Sequence, residues 1–134
     1  LFAMPGVPAV YYGSEWGIQG RKGDGDAALR PALERPEWNG LAGWIAALAR
    51  ARRGSRALQY GSYRNVLLTN RQIIFERSVE GERVLVAVNA DSQPFVAHFD
   101  AQAGRAVDLI TGALHDFGGG SELPPCSAFF WRTE

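Results

Sequence analysis

The chain has 134 residues, with 14 Lys and Arg against 14 Asp and Glu, and is 46% hydrophobic and 21% charged. That is about one domain's worth of chain, and the composition excludes a disordered or collagen-like protein and leaves no net field to recruit nucleic acid or an acidic membrane surface. A single cysteine, Cys126, excludes an internal disulfide or a cysteine metal cluster, and no apolar run approaches the ~20 residues that cross a bilayer.

The chain opens Leu1-Phe2-Ala3 with no initiator Met and no basic leader, which reads as a cut through something larger rather than as a signal peptide. A cytoplasmic location is expected, although a targeting signal upstream of Leu1 would lie outside this sequence. Residues 7–12, Val-Pro-Ala-Val-Tyr-Tyr, are apolar without alternation, the pattern of a strand covered on both faces as in a parallel sheet. Gly13 stops that strand, and Gly13 to Arg35, with five glycines and mixed charge, reads as a long irregular loop of the kind that carries function. Helical text follows. Pro36 suits a first turn, Glu37 its positive end, and Trp38, Leu41, Ile45 and Leu48 share one stripe. Arg50, Arg52 and Arg53 crowd the last turn and Gly54 closes it, which predicts a helix over 37–53.

Beyond residue 57 the text is strand and turn. Residues 66–69, 73–77, 83–88, 95–99, 106–109 and 128–131 are β-rich, and Glu80-Gly81-Glu82, Asn89 to Ser92, Thr111-Gly112 and Gly118 to Gly120 supply turn chemistry. Many short strands at this spacing predict an antiparallel β-sandwich.

Several residues invite chemistry. Glu15, Asp24 and Asp26 are carboxylates in the long loop, where paired carboxylates do acid and nucleophile work in glycosidases, although solvated loop charges look the same. Asp24-Gly25-Asp26 resembles part of a calcium loop but lacks the remaining ligands and the closing glutamate. His98 and His115 stand in strand contexts without a Ser or Cys neighbour and read as surface or structural residues. Cys126, after Pro124-Pro125, reads as a small buried hydrophobe. The arginines from Arg50 to Arg56 suggest a phosphate patch, but helix C-termini favour cations anyway, and thirteen Arg against one Lys reads as coding bias. Tyr60, Tyr63 and Trp131 could stack on sugars if exposed, whereas aromatics in sandwich strands more often lie in the core. The glycines of 17–25 match neither phosphate-binding fingerprint, so nucleotide binding is not expected.

Residues 4–15, Met-Pro-Gly-Val-Pro-Ala-Val-Tyr-Tyr-Gly-Ser-Glu, followed by Leu29-Arg30-Pro31, resemble the end of the catalytic barrel in the α-amylase family of glycoside hydrolases, within it the neopullulanase, cyclomaltodextrinase and maltogenic amylase group. The resemblance implies that the segment at 7–12 is the eighth strand of a (β/α)8 barrel, that residues 1–56 are the end of that barrel, and that 57–134 are a C-terminal antiparallel β-sandwich. It implies retaining hydrolysis of α-glucosidic bonds in cyclodextrins, pullulan or malto-oligosaccharides, with an α-glucan oligosaccharide and the upstream barrel as partners and with no cofactor, metal, nucleic acid or membrane. The alternative is a non-catalytic β-sandwich that stabilises the barrel or binds glucan on its surface. The family's catalytic carboxylates lie on earlier strands, so none is assigned here, Glu15 included, and the chain alone is expected to be inactive. The family's Asp-x-x-x-Arg pair, which holds a glucose unit, is matched by Asp26 and Arg30, without the usual proline after the Asp. Loops after barrel strands build the active face. Without neighbouring strands, residues 7–12 are expected to be a sticky edge, leaving residues 1–35 disordered, rearranged or buried by self-association.

Overall fold

The computed structural model describes residues 1–33, 35 and 37–134. Three helices, α1 (Asp26–Leu29), α2 (Gly40–Arg53) and α3 (Arg56–Tyr60), precede eight strands: β1 (Ser62–Leu68), β2 (Gln72–Val79), β3 (Glu82–Asn89), β4 (Phe95–Ala97), β5 (Arg105–Asp108), β6 (Leu114–Asp116), β7 (Ser121–Leu123) and β8 (Ser127–Thr133). The expected mainly β, antiparallel architecture is the one observed.

Helix α2 begins three residues later than the pattern of 37–53 suggests. Asn39 is the reason: its Oδ1 accepts the Ala42 N–H at 2.8 Å, satisfying a first-turn donor. Pro36 lies outside the described residues. At the other end Gly54 donates its N–H to the Arg50 carbonyl at 2.9 Å, and Ser55 then caps α3 through Leu58 at 3.1 Å.

Six strands form one sheet in the order β1-β2-β3-β8-β5-β6, every neighbour antiparallel, and β4 pairs with β7 in a second small sheet. Strands β2 and β3 are joined by Glu80-Gly81, Gly81 having φ +81°. The register between β1 and β2 slips between Asn65 and Leu67, leaving Val66 as an extra residue. The bulge turns two consecutive side chains, Val66 and Leu67, towards the same core.

The central strands are covered on both faces. Phe75, Val84, Val86 and Phe130 point to one side, where Ala51, Ala57, Leu58 and Ala3 cover them. Ile74, Leu85, Ala87 and Trp131 point to the other, under Ala97 and Leu123 of the small sheet. Alternation in β2, β3 and β8 is therefore between two cores rather than between core and water. Asn89 stitches the layers: Nδ2 donates to the carbonyls of Gln93 (2.8 Å), Leu123 (3.1 Å) and Pro124 (3.0 Å), while Oδ1 accepts from Gln72 Nε2 (2.9 Å) and the Asp91 N–H (3.0 Å).

Residues 7–12 form no strand. A strand needs a ladder partner, and among the described residues none pairs with this segment. The foot of this segment is held instead by side chains, since Ala3 packs into the core and the carbonyls of Phe2, Ala3, Met4 and Gly6 accept from Arg52 and Arg77. Among the described residues no helix is long and apolar enough to cross a membrane.

Candidate functional site

The long loop is built from tight turns that sequence alone suggests only as irregular chain. Ser14–Trp16 form a 3₁₀ turn between Gly13 (φ +86°) and Gly17 (φ +72°), closed by the Ile18 N–H donating to the Gly13 carbonyl at 3.0 Å. Gly20 passes so near α1 that a Cβ there would lie 2.1 Å from the Ala28 carbonyl oxygen, so only glycine suits the crossing. A second 3₁₀ turn, Lys22–Asp24, leads through Gly25 into α1. Asn39 Nδ2 donates to the Trp16 carbonyl at 3.2 Å, tying the loop to the start of α2.

Asp26 and Arg30 are brought together by this construction. Asp26 opens α1 and Arg30 closes it, with the Arg30 N–H donating to the Asp26 carbonyl at 3.0 Å. Both side chains are exposed, and among the described residues they form no ion pair with each other. A carboxylate and a guanidinium one helical turn apart, neither neutralised by the other, can respectively accept from and donate to the hydroxyls of a diol. Near Arg30, the Tyr12 ring lies tilted by 42° against that of Tyr11, with centroids 4.8 Å apart. Desolvation, and then the Tyr11 hydroxyl, raise the Tyr12 pKa above the usual phenol value, while the nearby charge of Arg30 pulls it down. The same loop carries Glu15, half-buried, whose Oε2 is shut from solvent without a hydrogen-bond partner among the described residues. Asp24 and Asp26 gather no third ligand: among the described residues no three His, Cys, Asp or Glu side chains cluster as a metal site requires.

No protein-family model matches the chain. Individual relatives do. Over 134 aligned residues, 98% of this chain, it is 28% identical to a cyclomaltodextrinase of Thermoanaerobacter pseudethanolicus, of which it covers 23%. It is 37% identical over 116 residues, 82% of the chain, to a cyclomaltodextrin glucanotransferase of Paenibacillus macerans, of which it covers 16%. Among solved structures, the cyclomaltodextrin glucanotransferase CldA, described as having a three-domain ABC distribution, superposes with a TM-score of 0.80 over 98% of this chain and 30% of that one, at 25% identity. Over most of its length the chain is therefore similar to enzymes named for cyclomaltodextrins, in agreement with the α-amylase-family resemblance carried by residues 4–15. It spans under a quarter of the length of the curated relatives it matches.

The remaining residues singled out from sequence are placed as follows. His98 is exposed, and a Cβ on Gly120 would meet its ring at 2.8 Å. His115 is structural: its ring stacks on Trp131 (4.1 Å, 5°), and its Nε2 lies 2.9 Å from the buried Ser121 Oγ. Desolvation lowers its pKa, against the charges of Asp116 and Asp108, so the ring is neutral at pH 7. Cys126 is not buried. It stands exposed at φ +49° in the turn entering β8, its N–H donating to the Asp91 carbonyl at 2.9 Å, because the turn after two prolines must bend back towards β8. Trp131 is 1% exposed and therefore core, whereas Tyr60 is 78% exposed and Tyr63 37%, leaning on Phe75.

Sequence reasoning missed the arginines' true partners. Arg52 and Arg77 are buried and donate to the chain's first carbonyls, a role no local pattern announces. It also missed an apolar cavity of about 570 Å³ beneath the same segment, lined by Phe2, Val10, Tyr11, Leu48, Phe75 and Phe130.

Proposed function

We propose that the chain forms the C-terminal part of a retaining glycoside hydrolase acting on α-glucosidic bonds of cyclodextrins, pullulan or malto-oligosaccharides. In this reading residues 1–56 are the end of a (β/α)8 barrel, residues 57–134 are a structural β domain, and an upstream barrel supplies the carboxylates that do the chemistry. Asp26 and Arg30 form one wall of a sugar subsite. The observation that carries the reading is their joint presentation on α1: both exposed, adjacent through one turn, and unpaired with each other. The relatives named above are a cyclomaltodextrinase and a cyclomaltodextrin glucanotransferase, which supports cyclodextrins and related glucans as the substrate class.

The test is made in the full-length enzyme. Asp26→Ala or Arg30→Ala removes a charge-assisted contact of about 1.5–3 kcal/mol and so lowers kcat/KM on a cyclodextrin by roughly ten- to a hundredfold. Because both side chains are exposed, the melting temperature stays within a degree or two of wild type. Wild-type kinetics with a lowered melting temperature would refute the subsite. The chain by itself releases neither glucose nor maltose, since one subsite wall binds without cleaving. Exposed Val7, Val10, Tyr11 and Tyr12 support self-association of the isolated chain, read as a concentration-dependent mass in sedimentation. For the alternative, a β domain that binds glucan on its own surface, the burial of Trp131 leaves Tyr60 as the most exposed of the three aromatics considered.

A further inference from the structure

Buried cations ordinarily sit against carboxylates. Arg52 and Arg77, 8% and 1% exposed, form no ion pair among the described residues. Their guanidinium groups are satisfied by backbone. Arg52 Nη1 donates to the carbonyls of Phe2 (2.9 Å) and Met4 (3.0 Å), and Nη2 to that of Gly6. Arg77 Nη1 donates to the carbonyl of Ala3 (2.6 Å), Nη2 to that of Gly61 (2.9 Å) and Nε to that of Ser62 (3.2 Å). Two like charges are thus held near one another with no counter-ion: desolvation, then the charge of Arg52, lowers the Arg77 pKa.

For stability alone an apolar pair of similar volume serves as well or better, because two ions must be taken out of water. What a guanidinium provides and a hydrocarbon does not is direction. The planar fork fixes the carbonyls of Phe2, Ala3, Met4 and Gly6 in one register relative to β2 and α2. Helix α2 also holds the loop further along, through Asn39 and the Trp16 carbonyl at 3.2 Å. Its 14 residues make a rod of about 21 Å, so the segment from Phe2 to Trp16 is pinned near both ends of one rigid element.

We propose that Arg52 and Arg77 are positioning residues for the Asp26–Arg30 contact, setting from α2 and β2 where the foot of the site loop stands. The proposal rests on the subsite reading given above. It explains why residues 2–6, at the foot of the loop, are joined to α2 and β2 by directional bonds to backbone rather than by apolar packing alone.

The experiment compares R52M, R77M, R52K and R77K with wild type and D26A in the full-length enzyme, by kinetics on a cyclodextrin and by amide exchange. The Met variants raise KM by about tenfold with kcat changed by no more than about threefold, and the Lys variants restore part of the loss. Exchange at the Ile18 and Arg30 amides quickens by roughly tenfold or more while that of buried Leu85 is unchanged. Wild-type KM and wild-type exchange in the loop, with only a lowered melting temperature, overturn the proposal and leave the arginines as packing. If D26A keeps wild-type kinetics, the subsite reading fails, and loop exchange alone then decides whether the arginines position the loop. Should a Met variant fail to fold, its Lys counterpart is judged by the same two measurements.

Discussion

Replacing Asn89 tests whether the two layers are fastened by one amide. The side chain is 1% exposed and makes five hydrogen bonds, three donated by Nδ2 to the carbonyls of Gln93, Leu123 and Pro124 and two accepted by Oδ1. Three carbonyls around the nitrogen settle which way the amide points. In Asn89→Ala the Asp91 N–H and the outer carbonyls can find water, but the buried Leu123 carbonyl and the Gln72 amide cannot. Two stranded groups at about 1–3 kcal/mol each, less what relaxation recovers, give a loss of roughly 2–5 kcal/mol. That is a large share of the ~5–15 kcal/mol by which a domain is stable. Asn89→Asp is the sharper probe. It keeps the acceptor side but sets an oxygen against three carbonyls, so at pH 7 it destabilises at least as much as alanine. Guanidinium unfolding followed by circular dichroism measures both, and amide exchange in β4 and β7 should quicken before that in β2 and β3. A cost under ~1 kcal/mol for Asn89→Ala, or an Asp variant more stable than the Ala variant, would refute the reasoning.

Two further predictions concern pH. Desolvation alone would push the Glu76 carboxyl up, but hydrogen bonds from Arg64 (2.8 Å) and Arg83 (2.6 Å) outweigh it and hold the pKa below the usual value. Glu76→Gln therefore costs about 1–3 kcal/mol at pH 7, and the difference from wild type closes as acid takes the pH through the lowered folded-state pKa, in parallel denaturation curves. His115 runs the other way. With its folded pKa below the unfolded ~6.5, the folded state binds fewer protons, so the wild type loses stability as pH falls below ~6.5. His115→Phe keeps the stack on Trp131 and lacks that slope, so its deficit against wild type shrinks in acid; parallel slopes for the two proteins would contradict the assignment.

How much was legible in the sequence depends on whether the signal was local. Six β-rich runs became β1, β2, β3, β4, β5 and β8, because hydrophobic strands with glycine or Asn-Asp turns announce themselves over a few residues. Strands β6 and β7 were missed. Each has three residues and they flank Gly118 to Gly120, so they read as part of the turn they enclose. The helix was legible, its start less so, since Pro36 and Glu37 look as much like a first turn as Asn39 does. For the candidate site, Asp26 and Arg30 were singled out by the family resemblance alone and the short helix that joins them was not expected, while nothing near Arg52 or Arg77 in sequence reveals carbonyls 46 to 74 residues away. Cys126 failed for a related reason: an apolar neighbourhood in sequence hid a turn with positive φ.

The extra residue at Val66 also governs what the molecule does in a crowd. Strand β1 is the long outer rim of the main sheet, and a straight rim of that length would accept another molecule's strand rung by rung. Here the rungs fall out of step between Asn65 and Leu67, and Arg64 stands exposed just before the break, so an incoming strand finds only short runs in register on either side. Aggregation along this rim is thereby discouraged at no loss to the core, since Val66 and Leu67 both remain packed. Deleting Val66 would straighten the rim, and the same surface would turn from a boundary into a template.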